Sequence, residues 1–166
     1  MTKRPKAAPA ALFTGTLIGE QATAALAAKL ASGVAPPLVI ALRGDLGAGK
    51  TAFARAFIRA LPGAAKDEDV PSPTFTLVQT YRCDLGPVWH FDLYRIEHAA
   101  ELRELGWDEA VDEGICLIEW PDKAGAALPN DRLEIELTFA ADEETRAVTI
   151  TAHGTVGDQL KELQLG

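Results

Sequence analysis

The sequence predicts an α/β fold, and three observations carry that reading. An unbroken apolar run at residues 38–42 leads into a glycine-rich loop and then into a helical pattern over residues 52–61. A second continuously apolar run, residues 115–118, suits a strand buried on both faces. Alternating segments come in two pairs, residues 75–82 with 88–94 and residues 132–139 with 146–151, and each pair predicts an antiparallel hairpin.

Taken in order, residues 1–10 carry Lys3, Arg4 and Lys6 among Pro and Ala without periodicity, which predicts a flexible tail. Residues 19–32 form an alanine-rich helical pattern with Ala22, Leu26 and Leu30 on one face, and Gly33 is placed to end it. Pro36-Pro37 breaks the chain before the first apolar strand. Lys66-Asp67-Glu68-Asp69 reads as a solvated turn rather than a metal site. Residues 97–112 suggest two short helical pieces around Gly106-Trp107, a surface cap or a partner contact. In residues 132–139 the alternation turns Leu133, Ile135, Leu137 and Phe139 inward. Residues 155–163 predict a short closing helix.

The glycine-rich loop is Gly44-Asp45-Leu46-Gly47-Ala48-Gly49-Lys50-Thr51, which fits G-x-x-x-x-G-K-[ST] without a mismatch. Its glycines permit backbone conformations that let successive N–H groups turn inward around phosphate oxygens. Lys50 adds a point charge, Thr51 offers a hydroxyl to Mg²⁺, and the helix that follows aims the positive end of its dipole at the anion.

Other candidates follow from their position. The polar loop Ser72-Pro73-Thr74 lies between this helix and the first hairpin, where nucleotide switch proteins carry a segment that senses the terminal phosphate. In Trp89-His90-Phe91-Asp92-Leu93 the alternation puts His90 and Asp92 on one face, and Asp92 lies near the end of the strand, where a carboxylate can hold Mg²⁺ or its water. His90 fits a hydrogen-bonded core histidine as well as a functional one. Glu119 ends the buried run 115–118, a costly place for a charge unless it has a partner, and a divalent cation is one such partner.

Bulk properties narrow the function classes. The 166 residues are 48% hydrophobic and 24% charged, sufficient for one domain with a core. A formal charge of −8 argues against a broad nucleic-acid surface. The two cysteines, Cys83 and Cys116, lack metal-site spacing, and no window reaches the length of a membrane span, so a cytoplasmic protein is expected.

The loop, then Ser-Pro-Thr-Phe-Thr-Leu-Val, His-Phe-Asp-Leu-Tyr-Arg and Ile-Glu-Trp-Pro, in this order and spacing, together resemble the bacterial TsaE (YjeE) family. That family is the ATPase subunit of the machinery making N6-threonylcarbamoyladenosine (t6A) on tRNA. The resemblance implies a single P-loop NTPase domain over residues 11–166, three-layered, with a mixed central sheet that includes antiparallel hairpins. It implies ATP and Mg²⁺ as cofactors, TsaD and TsaB as partner subunits, and tRNA contacted only through the complex, with adenosine 37 as the modified base. Carried over by motif, residues 44–51 match the phosphate loop, Thr51 and Glu119 the Mg²⁺ ligands, Asp92 the motif carboxylate, Ser72 and Thr74 the switch loop, and Trp120 the residue beside the metal ligand. The implied catalytic set is Lys50, Thr74, Asp92 and Glu119, with Asp92 and Glu119 both open as the direct metal ligand. Arg82, Arg95 or a partner could supply an arginine finger.

Two other classes fit the loop. A small-molecule kinase would need an acceptor pocket and a basic lid, and no clear lid is visible. A nucleotide-gated binding module with little catalysis would use the acidic surface and the Trp107 and Trp120 segments as its interface.

Overall fold

The computed structural model describes residues 9–67 and 69–166, with Ala10 described in its backbone alone. Residues 1–8 of the expected tail and Glu68 of the expected solvated turn therefore lie outside the described residues. Ala10, assigned to the tail by the sequence, opens strand β1 (Ala10–Ile18). The chain continues as α1 (Gly19–Ala31), β2 (Leu38–Arg43), α2 (Lys50–Ala60), β3 (Val78–Cys83), β4 (Gly86–Asp92) and a 3₁₀ segment Ala99–Leu105. There follow α3 (Trp107–Glu113), β5 (Ile115–Glu119), a 3₁₀ segment Pro121–Ala127, β6 (Arg132–Phe139), β7 (Thr145–His153) and α4 (Val156–Leu160).

The seven strands form one mixed sheet in the order β1-β7-β6-β2-β5-β4-β3. Strands β6, β2, β5 and β4 run parallel. The β3–β4 and β6–β7 pairs are the antiparallel hairpins that the alternation predicts. Parallel strands bring their carboxyl ends to one edge, the usual place for a ligand in such sheets. Here that edge carries Arg43, Asp92, Glu119 and the loop that leaves β2.

Alternation within the buried strands sorts the side chains between two cores. Leu38, Ile40, Leu42, Ile115, Leu117 and Val88 pack under α1 and α2 with Leu26, Leu30, Phe53 and Phe57. Val39, Cys116, Ile118 and Phe91 face the other way, against Trp107, Ala110 and Leu102. Each large side chain fully buried this way contributes about 1.5–3 kcal/mol. At the centre the result is three layers. The parity that sends Leu117 toward α2 also sends Glu119 there, and the parity of Val88 does the same for His90 and Asp92.

Three expectations need correction, and one strand went unpredicted. Residues 75–77 are not strand: Leu77 N–H donates to Pro73 carbonyl at 2.7 Å, closing a turn that leaves Phe75 84% exposed. Phe139 does not point inward but is 51% exposed and lies under the Arg146 guanidinium. Residues 97–112 do form two short helical pieces with mostly exposed side chains, but Trp107 itself is buried edge-on against Phe91, with ring centroids 5.1 Å apart. Strand β1 carried no prediction because its alternation is broken by a register shift between Ala11 and Phe13.

Candidate functional site

The loop leaves β2 through Gly44 and enters α2 at Lys50, two residues earlier than the helical pattern indicates. Gly44, Gly47 and Gly49 have φ of 148°, 78° and 109°, which side-chain-bearing residues rarely adopt. A Cβ on Gly44 would also meet the Leu137 carbonyl oxygen at 2.5 Å. The amides of the first turn of α2 have no carbonyl partner inside the helix, so they and the helix dipole present positive charge to this loop. Lys50 is buried, and its Nζ donates to the carbonyls of Gly44 and Asp45, the latter at 2.9 Å. Desolvation pulls its pKa below the usual lysine value, opposed by the carboxylates of Glu119, Asp92 and Asp45.

Two hydroxyl–carboxylate pairs stand beside the loop. Thr51 Oγ1 donates to Glu119 Oε1 at 2.9 Å, and the other oxygen, Oε2, lies 2.7 Å from His90 Nε2. Thr74 Oγ1 donates to Asp92 Oδ2 at 2.9 Å, and Ser72 Oγ is 2.7 Å from Thr74 Oγ1. The second Asp92 oxygen accepts the Tyr94 N–H at 3.0 Å, a turn that ends β4 at Asp92, two residues short of the expected limit. Lys50, Thr51, Ser72, Thr74, Asp92, Glu119 and Trp120 thus line one cavity of about 210 Å³ with Leu46, Gly47 and Gly49. Sequence positions 44 to 120 are brought together by the parallel pairing of β2, β5 and β4.

The backbone is strained on both sides of this cavity. Among the described residues the non-glycine positions with positive φ are Leu77 at 67° and Trp120 at 57°. Each costs on the order of 1–3 kcal/mol and persists where surrounding structure holds it. Leu77 carbonyl accepts the Asp92 N–H at 2.9 Å, and Glu119 carbonyl accepts the Leu93 N–H at 3.1 Å. Leu77 is thereby fastened to the end of β4 that bears Asp92, and Trp120 directly follows Glu119 at the end of β5.

Neither Arg146 nor Arg43 was legible in the sequence as a residue of this site. Arg146 reaches from β7 to donate to the Ala48 carbonyl at 3.0 Å and the Gly47 carbonyl at 3.3 Å. Arg43 bonds Asp122 and Glu134, joining the end of β2 to the segment after β5. A finger from Arg82 is ruled out by position: it pairs with Pro87, at the opposite end of the hairpin from Asp92. Arg95 lies over the exposed Phe75 ring at 5.0 Å, next to the Ser72–Thr74 loop. A second cavity of about 350 Å³ adjoins the loop, between Gly19, Glu20 and Thr23 of α1 and Glu143, Glu144 and Arg146.

The donor set suits a hard cation. Hydroxyl and carboxylate oxygens from Thr51, Glu119 and Asp92 match the preference of Mg²⁺, which keeps several waters and takes phosphate oxygens as ligands. Among the described residues no group of three His, Cys, Asp or Glu side chains forms a self-sufficient metal cage. A glycine cradle after a central parallel strand, a helix N-terminus, a buried lysine and two hydroxyl–carboxylate pairs define a nucleotide-binding protein of the P-loop NTPase type.

Within that class the chain belongs to the TsaE family. The model of that family, described as "Threonylcarbamoyl adenosine biosynthesis protein TsaE", matches residues 17–148. The TsaE protein of Bacillus subtilis (strain 168) is 38% identical over 146 residues, covering 87% of this chain and 89% of that protein. The one from Aquifex aeolicus (strain VF5) is 40% identical over 135 residues, covering 81% and 92%. Among solved structures, the crystal structure of YdiB from Bacillus subtilis superposes with a TM-score of 0.77 at 30% identity, covering 95% of this chain and 96% of that one. No helix among the described residues is long and apolar enough to cross a membrane.

Proposed function

We propose that this chain is the ATP-hydrolysing subunit of the machinery that places threonylcarbamoyl on adenosine 37 of tRNA, acting in the cytoplasm with TsaB and TsaD. Relatives 33–40% identical carry the name tRNA threonylcarbamoyladenosine biosynthesis protein, which supports the process. The observation that carries the enzymatic reading is the meeting of Thr51 with Glu119 and of Thr74 with Asp92 in the cavity that also holds Lys50.

In this reading the amides of residues 44–51 and the Lys50 ammonium bind the phosphate chain and offset the charge that develops on it. Magnesium, when bound, supplies positive charge at the phosphate oxygens, with Thr51 and Glu119 holding it and Asp92 acting directly or through water. Thr74, fixed by Asp92, orients the attacking water in line with the bond that breaks. The cavity between α1 and the β6–β7 turn receives the base, where Glu20, Glu143 and Glu144 offer acceptors to an exocyclic amino group. Hydrolysis resets the TsaB–TsaD pair between rounds, and tRNA is met only through that assembly.

Phosphate release measured with and without a purified TsaB–TsaD pair tests this. Slow release alone and faster release with the pair are expected, and Lys50→Ala or Glu119→Ala should abolish both. Undiminished turnover in either variant overturns the assigned role.

A further inference from the structure

We infer that His90 is a positioning residue for the cation, holding the Glu119 carboxylate in the orientation in which it serves Thr51. The inference rests on the proposed reading of Glu119 as a metal-holding group and goes beyond it to a residue behind the site.

His90 is fully buried, and its two ring nitrogens have different surroundings. Nε2 lies 2.7 Å from Glu119 Oε2, while Nδ1 is buried without a hydrogen-bond partner. A carboxylate oxygen accepts, so Nε2 carries the proton and points it at Glu119. An unpaired buried ring nitrogen is costly, and a histidine kept only to fill space here would be better replaced by an apolar side chain. What an apolar side chain could not do is occupy Oε2. Glu119 takes one donor on each oxygen, Thr51 on Oε1 and His90 on Oε2, and two opposed donors fix both torsion and plane of the group. Parallel pairing of β4 with β5 sets His90 opposite Leu117, on the same face as Glu119. The donor therefore comes from a rigid strand, not from a loop. Partners behind metal ligands commonly change metal affinity or activity by about 10- to 100-fold when removed.

The test compares two amides. Glutamine at position 90 can extend its N–H₂ to where Nε2 lies, whereas the shorter asparagine places it near Nδ1 and leaves Oε2 bare. Calorimetry would measure ATP binding with Mg²⁺ and, separately, with EDTA, for the intact protein, His90→Gln and His90→Asn; Mn²⁺ paramagnetic resonance in the presence of ATP would report cation affinity directly. Thermal melts establish that each variant is folded. The expected result is cation affinity within about 3-fold of the parent for His90→Gln and at least about 10-fold weaker for His90→Asn, with metal-free ATP binding equal in all three. Equal cation affinity in the two variants, or an equal loss of metal-free binding, overturns the inference and leaves the reading of Glu119 standing. If the intact protein shows no dependence on the cation, both fall.

Discussion

The Lys50 ammonium rests on the face of Trp120, 4.1 Å from the ring centroid, while donating to carbonyls of its own loop. Contacts of this kind are worth about 0.5–2 kcal/mol, less than a lysine gains from a triphosphate. ATP should therefore draw the ammonium off the ring. Tryptophan emission is expected to change on ATP binding and to lose most of that change in Trp120→Phe. Trp107, buried against Phe91, and Trp89, packed against Gly106 and Gly114, should contribute little. A full-sized change in Trp120→Phe would show that the signal arises elsewhere.

Thr74→Val keeps the size of the side chain and removes its hydrogen bond to Asp92. Turnover should fall by about 100-fold, the usual penalty for a misplaced reacting group, with ATP affinity altered less than about 3-fold. An affinity loss matching the rate loss would instead make Thr74 a ground-state binding contact.

Gly44→Ala meets two obstacles, a φ of 148° and the Leu137 carbonyl at 2.5 Å, whereas Gly86→Ala meets only a φ of 111° with nothing within 4 Å. Backbone strain alone costs about 1–3 kcal/mol, and each 1 kcal/mol lowers the melting temperature of a domain this size by about 2–4 °C. Thermal melts should show the larger drop for Gly44→Ala, and it alone should lose ATP binding. Equal drops would mean that the loop yields at Leu137.

Glu134 lies on the far side of β6, with Arg43 Nη2 at 3.0 Å and Arg132 Nη2 at 2.8 Å. Burial alone would raise its pKa, but the two guanidiniums together outweigh that effect and hold it below the ordinary 4.5. A carboxyl with a depressed folded pKa contributes stability in full above its unfolded value and loses it as the pH falls through the folded value. Urea midpoints followed below pH 4.5 should therefore decline less steeply in Glu134→Gln than in the parent protein. Identical acid slopes would remove this cluster from the account.

What could be read from the chain was what is local or costly. Residues 44–51 declare themselves because each position answers one physical need within eight residues, and Glu119 stands out because a charge ends an apolar strand. His90 and Asp92 share a face by simple alternation, which the structure bears out. Arg146 was invisible because the carbonyl it supports, on Ala48, is 98 positions away and the link depends on how β7 lies beside β6. Phe139 follows the strand's alternation, but at the carboxyl end there is no core left to face, and Arg146 covers it instead. Trp107 was misplaced because a short helix beside glycine resembles a surface cap until Phe91 is set beneath it.

If residues 44–51, with Lys50, Thr51 and Glu119, form a magnesium-dependent ATP site, nucleotide binding must respond both to the cation and to those side chains. Calorimetric titration of the folded protein with ATP, in Mg²⁺ and in EDTA, tests it most directly. Saturable binding strengthened by Mg²⁺ is expected, with the strengthening lost in Glu119→Ala and binding itself lost in Lys50→Ala. Absence of binding in Mg²⁺, or unchanged binding in Lys50→Ala, would contradict it.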